Sequence, residues 1–260
     1  KKQFGRDFYM SVMGNFSYNH NTVVENDIDY AYPWLDLRGQ RVGQRFGYIA
    51  EKLFDSNEEV AASPYQAGDT RAGDIKYVDL NSDGVIDAYD KAPIGWGSTP
   101  EIMYGFGFNL SWKGIALSAM FQGAAHVDML VIGEGVTPFQ YGMSRGNLLS
   151  NIDDRWTEAN PRQDVFYPRL TPGTTNMNYE ASTWWLKRAD YLRLKNLQLS
   201  DTLPSRVCDK IKMDSFTVFL QGVNVFTLSS FDIWDVELGD GRGDTYPNIS
   251  SYSIGLNFNF

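Results

Sequence analysis

The chain has 260 residues, of which 43% are hydrophobic and 15% aromatic, and its formal net charge is −9. This negative charge argues against nucleic acid or an anionic lipid surface as a partner, since both repel an acidic protein. No apolar run approaches the ~18 residues that a membrane-spanning helix needs, and the single cysteine, Cys208, excludes a disulfide framework and a cysteine-based metal site.

The first predicted element is a strand over residues 8–18. Its side chains alternate, so that one face is apolar and the other carries mostly small or polar groups. A strand has a side-chain period of two, and the alternation therefore predicts a sheet with one apolar face. The apolar face consists of Phe8, Met10, Val12, Phe16 and Tyr18, with Gly14 between them.

Residues 20–100 form a long polar stretch in which only short segments have the pattern of a strand or a helix. A strand-like segment at residues 43–54 would upset the up-and-down order of the main strands if it ran beside them. We therefore interpret it as an excursion outside the main sheet. A short helix is predicted over residues 56–62, in which Glu58 and Glu59 are acidic residues of the first turn and not a catalytic acid/base pair.

Residues 79–90 carry the sharpest local motif, which matches the calcium-loop pattern D-x-N-x-D-G-x-I-D-x-x-D. Gly84 supplies the sharp turn, and Asp90 replaces the usual glutamate at the last position, one methylene shorter. The alternative is an acidic turn loop without metal. The motif predicts a structural Ca²⁺ site, with oxygens from Asp79, Asn81, Asp83, the Val85 carbonyl, Asp87 and Asp90.

The best hairpin signal lies at residues 104–123. If Lys113 and Gly114 form a two-residue turn, every apolar side chain of one arm opposes an apolar side chain of the other. Turn and register then agree, which predicts a hairpin with one apolar face. The opposed pairs are Trp112 with Ile115, Leu110 with Leu117, Phe108 with Ala119 and Phe106 with Phe121.

Three further strands are predicted, at residues 183–200, 215–228 and 252–260. In the first, the leucines change phase between residues 194 and 197, which predicts a β-bulge near Lys195 and Asn196. The connector that follows is predicted to form a short helical turn with Ser205 as its cap after Pro204. The last strand alternates apolar residues with Ser, Gly and Asn.

The connections between these strands differ greatly in length. Residues 20–100, 126–182 and 229–249 are long and polar, whereas the other two connections are short. Unstructured loops of this length are rare in compact soluble domains and normal at the outer end of a bacterial barrel. The pattern predicts an all-β fold: six crossings of an antiparallel transmembrane β-barrel, with the apolar face toward lipid and long extracellular loops.

Six strands cannot close such a barrel, and an open edge in lipid leaves unpaired backbone groups that cost several kcal/mol each. We therefore expect the missing strands upstream in the same protein or on another chain. The chain begins at Lys1 without an initiator methionine or an apolar leader, and we interpret it as an internal piece of something longer.

The predicted outer loops also contain four tryptophans, Trp34, Trp96, Trp156 and Trp234. Flat indole faces can stack on sugar rings or peptide side chains, which makes these residues candidates for substrate binding; packing between loops is the alternative. His20 and His126 have no ligand at metal-site spacing and are interpreted as solvated or core histidines. Because no nucleophile elbow accompanies them, no catalytic residue is expected.

Several ordered motifs make the whole chain resemble the SusC/RagA family of TonB-dependent outer-membrane transporters. The motifs are residues 43–48 (GQRFGY), 53–54, 73–87 (GDIKYVDLNSDGVID), 94–95, 104–123, 191–200 (YLRLKNLQLS), 202–204, 221–227 (QGVNVFT) and 252–260.

The resemblance implies that residues 1–260 are the C-terminal part of a barrel of about 22 strands, without the plug domain or the TonB-contacting box. It implies a place in the bacterial outer membrane among its lipids, a SusD-like surface lipoprotein as partner, and coupling to the TonB complex. Oligosaccharides or peptides would be imported without covalent catalysis. Two alternatives remain: a passive porin-like barrel, and a secreted all-β carbohydrate-binding module with a dockerin-like calcium loop.

Overall fold

The computed structural model describes residues 2–139, 148–171, 176–240 and 245–260. These residues form two short α-helices, α1 (Asn57–Ala62) and α2 (Ser205–Cys208). Their strands are β1 (Lys2–Phe4), β2 (Phe8–Tyr18), β3 (Phe46–Tyr48), β4 (Ala50–Leu53), β5 (Tyr65–Gln66), β6 (Ile75–Tyr77), β7 (Val85–Ile86), β8 (Lys91–Pro93), β9 (Ile102–Trp112), β10 (Ile115–Ala125), β11 (Asp128–Leu130), β12 (Leu186–Arg188), β13 (Tyr191–Thr202), β14 (Ser215–Ser229) and β15 (Ser251–Asn259). Among the described residues, no helix is long and apolar enough to cross a membrane.

Seven strands form one antiparallel sheet, in the order β1-β2-β9-β10-β13-β14-β15, which we call the wall sheet. The predicted all-β, antiparallel fold is thereby confirmed. The wall sheet is open, with β1 at one edge and β15 at the other. β1 is a short strand that the sequence pattern does not predict; it pairs along the outer edge of β2.

The predicted hairpin register is confirmed in full. Ile115 opposes Trp112, and the three other predicted apolar pairs follow in step. The turn residues Lys113 and Gly114 have φ of 48° and 95°. Two consecutive positive φ values characterise the tight hairpin turn whose twist matches that of its strands.

The predicted bulge is confirmed at Lys195. The register of β13 shifts against β10 between Met120 and Phe121, and against β14 between Leu194 and Asn196. The extra residue lets the leucines on both sides of Lys195 stay on the same face of the sheet. That face, which we call the apolar face, is continuous from β2 to β15, because opposed residues in neighbouring strands point to the same side.

The long connections of the wall sheet all lie at one end, the loop end. They join β2 to β9, β10 to β13 and β14 to β15, while the short turn β9–β10 and the β13–β14 connector lie at the opposite end. Residues 43–54 are outside the wall sheet, as interpreted from the sequence, because β3 pairs with β8 and β4 with β6.

The largest core lies among these connections and not against the wall sheet. The β2–β9 and β10–β13 connections contribute five side chains each, and we call this assembly the loop body. Aromatic packing and short strand pairs order these two connections, and the sequence analysis does not predict this shared core. The core consists of Tyr48, Leu53, Ile75, Tyr77, Ile86, Trp156, Val165, Tyr167, Met177 and Trp185.

The two predicted helices have different outcomes. The first is confirmed as α1, with Glu58 and Glu59 in its first turn, and the Ser56 hydroxyl caps it by accepting a hydrogen bond from the Glu59 amide at 3.2 Å. Ser205 is not a cap: α2 starts one residue earlier than the sequence suggests, so Pro204 occupies the cap position without a side-chain hydrogen bond. Ser205 is the first helical residue, where a hydroxyl no longer faces the free amides of the first turn.

Candidate functional site at the loop end

Two neighbouring cavities lie on the polar face of the wall sheet, opposite the apolar face and close to the loop end. Their volumes are about 380 and 310 Å³, and they share Pro100, Gln122 and Tyr191 as lining residues. Lys195 and Glu237 line the smaller cavity and give it one positive and one negative group. The pair of cavities forms a mixed polar and apolar groove that suits binding of a polar molecule.

A buried ion-pair network holds the β14–β15 connection against the wall sheet beside this groove. Arg193, which is 3% exposed, donates to Asp235 Oδ1 at 2.7 Å, Glu237 Oε2 at 2.9 Å and Thr227 Oγ1 at 2.7 Å. Lys195, the bulge residue, donates to the same Glu237 oxygen at 2.8 Å. Burial alone would raise the pKa of Asp235, but hydrogen bonds from Arg193 and the Glu237 amide outweigh it and lower that pKa.

A second cluster joins the β2–β9 and β10–β13 connections around the buried carboxylate of Glu101. His20 and His126 donate through Nδ1 to its two oxygens at 2.8 and 3.0 Å, and Arg41 approaches Oε1 at 2.9 Å. Trp96 stacks on His126 with ring centres 3.9 Å apart and lies beneath the Arg41 guanidinium. Desolvation would raise the pKa of Glu101, but the two imidazole hydrogen bonds and the Arg41 charge hold it below its usual value.

Sequence spacing could not reveal this cluster. Glu101 lies 81 residues from His20 and 25 residues from His126. The three residues come together only because β2, β9 and β10 are neighbours in the wall sheet and begin or end at the loop end. The interpretation that the histidines lack a carboxylate nearby is therefore incomplete: each has one, although not at the spacing of a sequence-local metal site.

The calcium-type loop folds into the compact turn that its motif predicts. Asp79 accepts hydrogen bonds from the Ser82 and Gly84 amides at 2.7 and 2.8 Å. Asp90 is buried and accepts from the Leu80 and Asp87 amides at 2.8 and 2.9 Å. Within the described ranges, no three His, Cys, Asp or Glu side chains stand close enough together to hold a metal ion. The carboxylates are bonded to the main chain, and the Ca²⁺ site stays a prediction.

The structure does not gather the four candidate tryptophans into one site. Trp156 is 4% exposed and belongs to the core of the loop body, which matches the packing alternative. Trp34 donates to the Tyr89 carbonyl at 2.7 Å and so ties its segment to the calcium-type loop. Trp234 donates to the Gly239 carbonyl at 3.2 Å and packs edge-on against Phe231, while Trp96 lies in the Glu101 cluster. A role in substrate binding stays a prediction.

No family model matches the sequence. Two curated proteins of Formosa agariphila are similar to it: TonB-dependent receptor P3, with 25% identity over 98% of this chain, and TonB-dependent receptor P26, with 29% identity over 79%. Chains from structures of the RagAB peptide importer in its open-open state and of the RagAB peptide transporter share the fold, with TM-scores of 0.71 and 0.73 and identities of 23% and 22%. They cover 99% and 100% of this chain. The resemblance to the SusC/RagA family is confirmed.

The curated relatives and the structurally similar chains are much longer than this chain. It spans 27% of the P3 receptor, 21% of the P26 receptor, and 27% and 28% of the two structurally similar chains. The shared fold includes both the wall sheet and the loop body, since the structural match leaves almost none of this chain uncovered.

Proposed function

We propose that this chain forms part of the wall and of the outer mouth of a TonB-dependent importer in the bacterial outer membrane. The observation that carries the proposal is similarity to TonB-dependent receptors over nearly the whole chain. The fold is consistent with it, because the wall sheet presents a continuous apolar face whose aromatic side chains belong to neither buried core. Phe106 and Phe258 are exposed there, and Phe108 is half-buried.

In the proposal, the apolar face contacts acyl chains and the polar face lines a hydrated interior. Val12 and Met13 test this directly, since they are neighbours on opposite faces and are 63% and 50% exposed. In outer-membrane preparations of the full-length protein, we expect a small charged thiol reagent to label a Met13→Cys variant and to spare Val12→Cys. Cys208 is buried, so each variant carries one accessible thiol within this chain, and the unaltered full-length protein gives the background labelling. Equal labelling at both positions would contradict the membrane assignment and favour the secreted binding module.

The long connections would face the cell exterior, where a SusD-like lipoprotein would cover them. Support for this partner comes from the resemblance and from the similar fold of the RagAB importer chains. Those proteins are described as importers of peptides, which favours peptides over oligosaccharides as substrate. Uptake of labelled peptides and oligosaccharides, with and without a protonophore, separates the alternatives: an energised importer stops when the proton-motive force collapses, whereas a passive porin does not.

We further propose that the calcium-type loop binds Ca²⁺ and stiffens the outer mouth. The side chains that hold the ion would be those of Asp79, Asn81, Asp83, Asp87 and Asp90, together with the Val85 carbonyl, after the carboxylates turn away from the main-chain amides. Metal analysis of the purified full-length protein tests the idea, with an Asp79→Ala/Asp83→Ala variant as comparison. An equal calcium content in both proteins would refute it.

A further inference from the structure

A separate cavity of about 350 Å³ lies between β12 and the first residues of the β14–β15 connection. It is distinct from the groove on the wall sheet, with which it shares no lining residue. Apolar side chains form one part of its lining, and polar or charged groups form the rest. Its residues include Phe166, Phe231 and Ile233 on the apolar side, and Asn151, Lys187 and Asp232 on the polar side.

Lys187 is the unusual member of this lining. It opposes Met129 in the β11–β12 pair and so lies on the same side as that fully buried methionine. Its ammonium sits 5.7 Å from the centre of the Phe166 ring. Burial lowers the pKa of Lys187 below its usual value. The side chain is therefore partly desolvated, which disfavours a positive charge unless a partner compensates it.

The part of the chain that the structure describes supplies no such partner. Among the described residues, no carboxylate lies within 4.0 Å of the Lys187 ammonium. The contrast with Lys195 is clear, because that half-buried lysine has Glu237 at 2.8 Å. The neighbouring Arg188 does not share the role of Lys187, since it is exposed and already paired with Asp190.

The surroundings of the ammonium limit what could serve as its partner. One unpaired positive charge matches one negative charge, and the exposed Asp232 carboxylate on the same lining disfavours a doubly charged anion. The Phe166, Phe231 and Ile233 side chains offer an apolar contact surface directly beside it. A singly charged carboxylate joined to an apolar group matches both features, whereas a doubly charged inorganic sulfate or phosphate ion matches neither.

We propose that this cavity binds a carboxylate attached to an aromatic or branched aliphatic group, such as the C-terminal residue of a peptide, with Lys187 pairing the carboxylate. The proposal rests on the proposed function as an importer and assigns a recognition site for its substrate class. The Lys187 charge would select for a free carboxyl terminus, and the apolar wall would select the side chain.

The test uses two probes that differ only in charge: N-acetyl-L-phenylalanine and its neutral amide. Binding of each to the purified full-length protein in detergent is measured by calorimetry. Because a hydrogen bond between charged groups is stronger than one between neutral groups, we expect the acid to bind at least ~10-fold more tightly than the amide. Lys187→Met should abolish the difference, Lys187→Arg should preserve part of it, and Lys210→Met, which alters an exposed lysine at the opposite end of the sheet, should leave it unchanged.

Equal binding of acid and amide to the unaltered protein would overturn the proposal, and so would a Lys187→Met variant that keeps the difference. The first comparison needs no variant and stands even if Lys187→Met does not fold. Failure here is distinct from failure of the proposed function. Opposite labelling of Met13→Cys and Val12→Cys would still indicate a membrane wall if the cavity did not bind carboxylates.

Discussion

The carboxylate of Asp74 joins the two connections of the loop body through several hydrogen bonds. It is 2% exposed and accepts four hydrogen bonds, two on each oxygen. Arg169 donates to both oxygens at 3.0 and 2.8 Å, Asn178 Nδ2 donates to Oδ1 at 2.8 Å, and the Arg71 amide donates to Oδ2 at 2.8 Å. Because Arg169 and Asn178 come from the β10–β13 connection, Asp74 fastens one connection to the other.

Replacement of Asp74 by Asn keeps the shape and removes half of the acceptors. Whichever way the new amide is oriented, its NH₂ group faces two donors and loses both hydrogen bonds. It also leaves the Arg169 guanidinium, which is largely buried, without its counter-charge. Hydrogen bonds to a charged group contribute about 1.5–3 kcal/mol each, and breaking a buried ion pair costs about 3–5 kcal/mol. We therefore expect Asp74→Asn to lower the free energy of opening of the loop body by about 3–5 kcal/mol.

Amide hydrogen exchange of the loop body in the full-length protein measures this quantity locally. The expected loss corresponds to exchange that is roughly 10²- to 4 × 10³-fold faster at the buried amides of β4 and β6. Asp69→Asn is the matched control, because Asp69 is 53% exposed and pairs only with the exposed Arg71; such a pair is worth about 0–1 kcal/mol. Exchange in Asp74→Asn that stays within about threefold of the Asp69→Asn value would refute the reasoning.

Two further predictions concern a glycine of the loop body and the Glu101 cluster. In thermal unfolding, Gly73→Ala should destabilise the loop body far more than Gly84→Ala. Both glycines have φ near +84°, so both variants share a backbone strain of about 1–2 kcal/mol. A Cβ on residue 73 would also lie 2.2 Å from the Trp156 ring, whereas a Cβ on residue 84 would have no atom within 4 Å. Similar losses in the two variants would show that the Trp156 contact is unimportant. The Glu101 carboxylate has a lowered pKa in the folded protein, so its stabilising effect is complete above its usual value of 4.5 and is lost as the pH falls through the folded value. Hydrogen exchange of the amides beside His20, His126 and Arg41 measures how much more stable the unaltered protein is than Glu101→Gln. This difference should be largest near neutral pH and shrink below pH 4.5. A difference that stays constant with pH would contradict the prediction.

The wall sheet could be predicted from the sequence because its information is local. Alternation with a period of two identifies each strand, and the Lys113–Gly114 turn fixes the register of the best hairpin. Even the bulge at Lys195 leaves a local sign, since the leucines of β13 change phase around it. β1 escaped prediction because three residues are too few for a period to show.

The loop body and the Glu101 cluster could not be predicted in the same way. The core residues Tyr77 and Trp185 lie more than one hundred positions apart and follow no repeat. Long-range pairing of this kind depends on which strands are neighbours, and a single sequence does not specify that. The candidate binding residues were difficult to predict for the same reason. The tryptophans can be recognised from composition, whereas the lack of a carboxylate beside Lys187 among the described residues can be recognised only from its three-dimensional surroundings.

Because both connections contribute side chains to the loop-body core, the sequences of the two connections cannot change independently during evolution. Each of the two connections supplies five of its ten side chains, so neither would be ordered if the other were exchanged for a foreign segment. A chimaera that transplants only one of them would expose half of an aromatic core to water. New shapes of the loop body should therefore arise by joint replacement of both segments, while the strands of the wall sheet, held by their own pairing, stay unchanged.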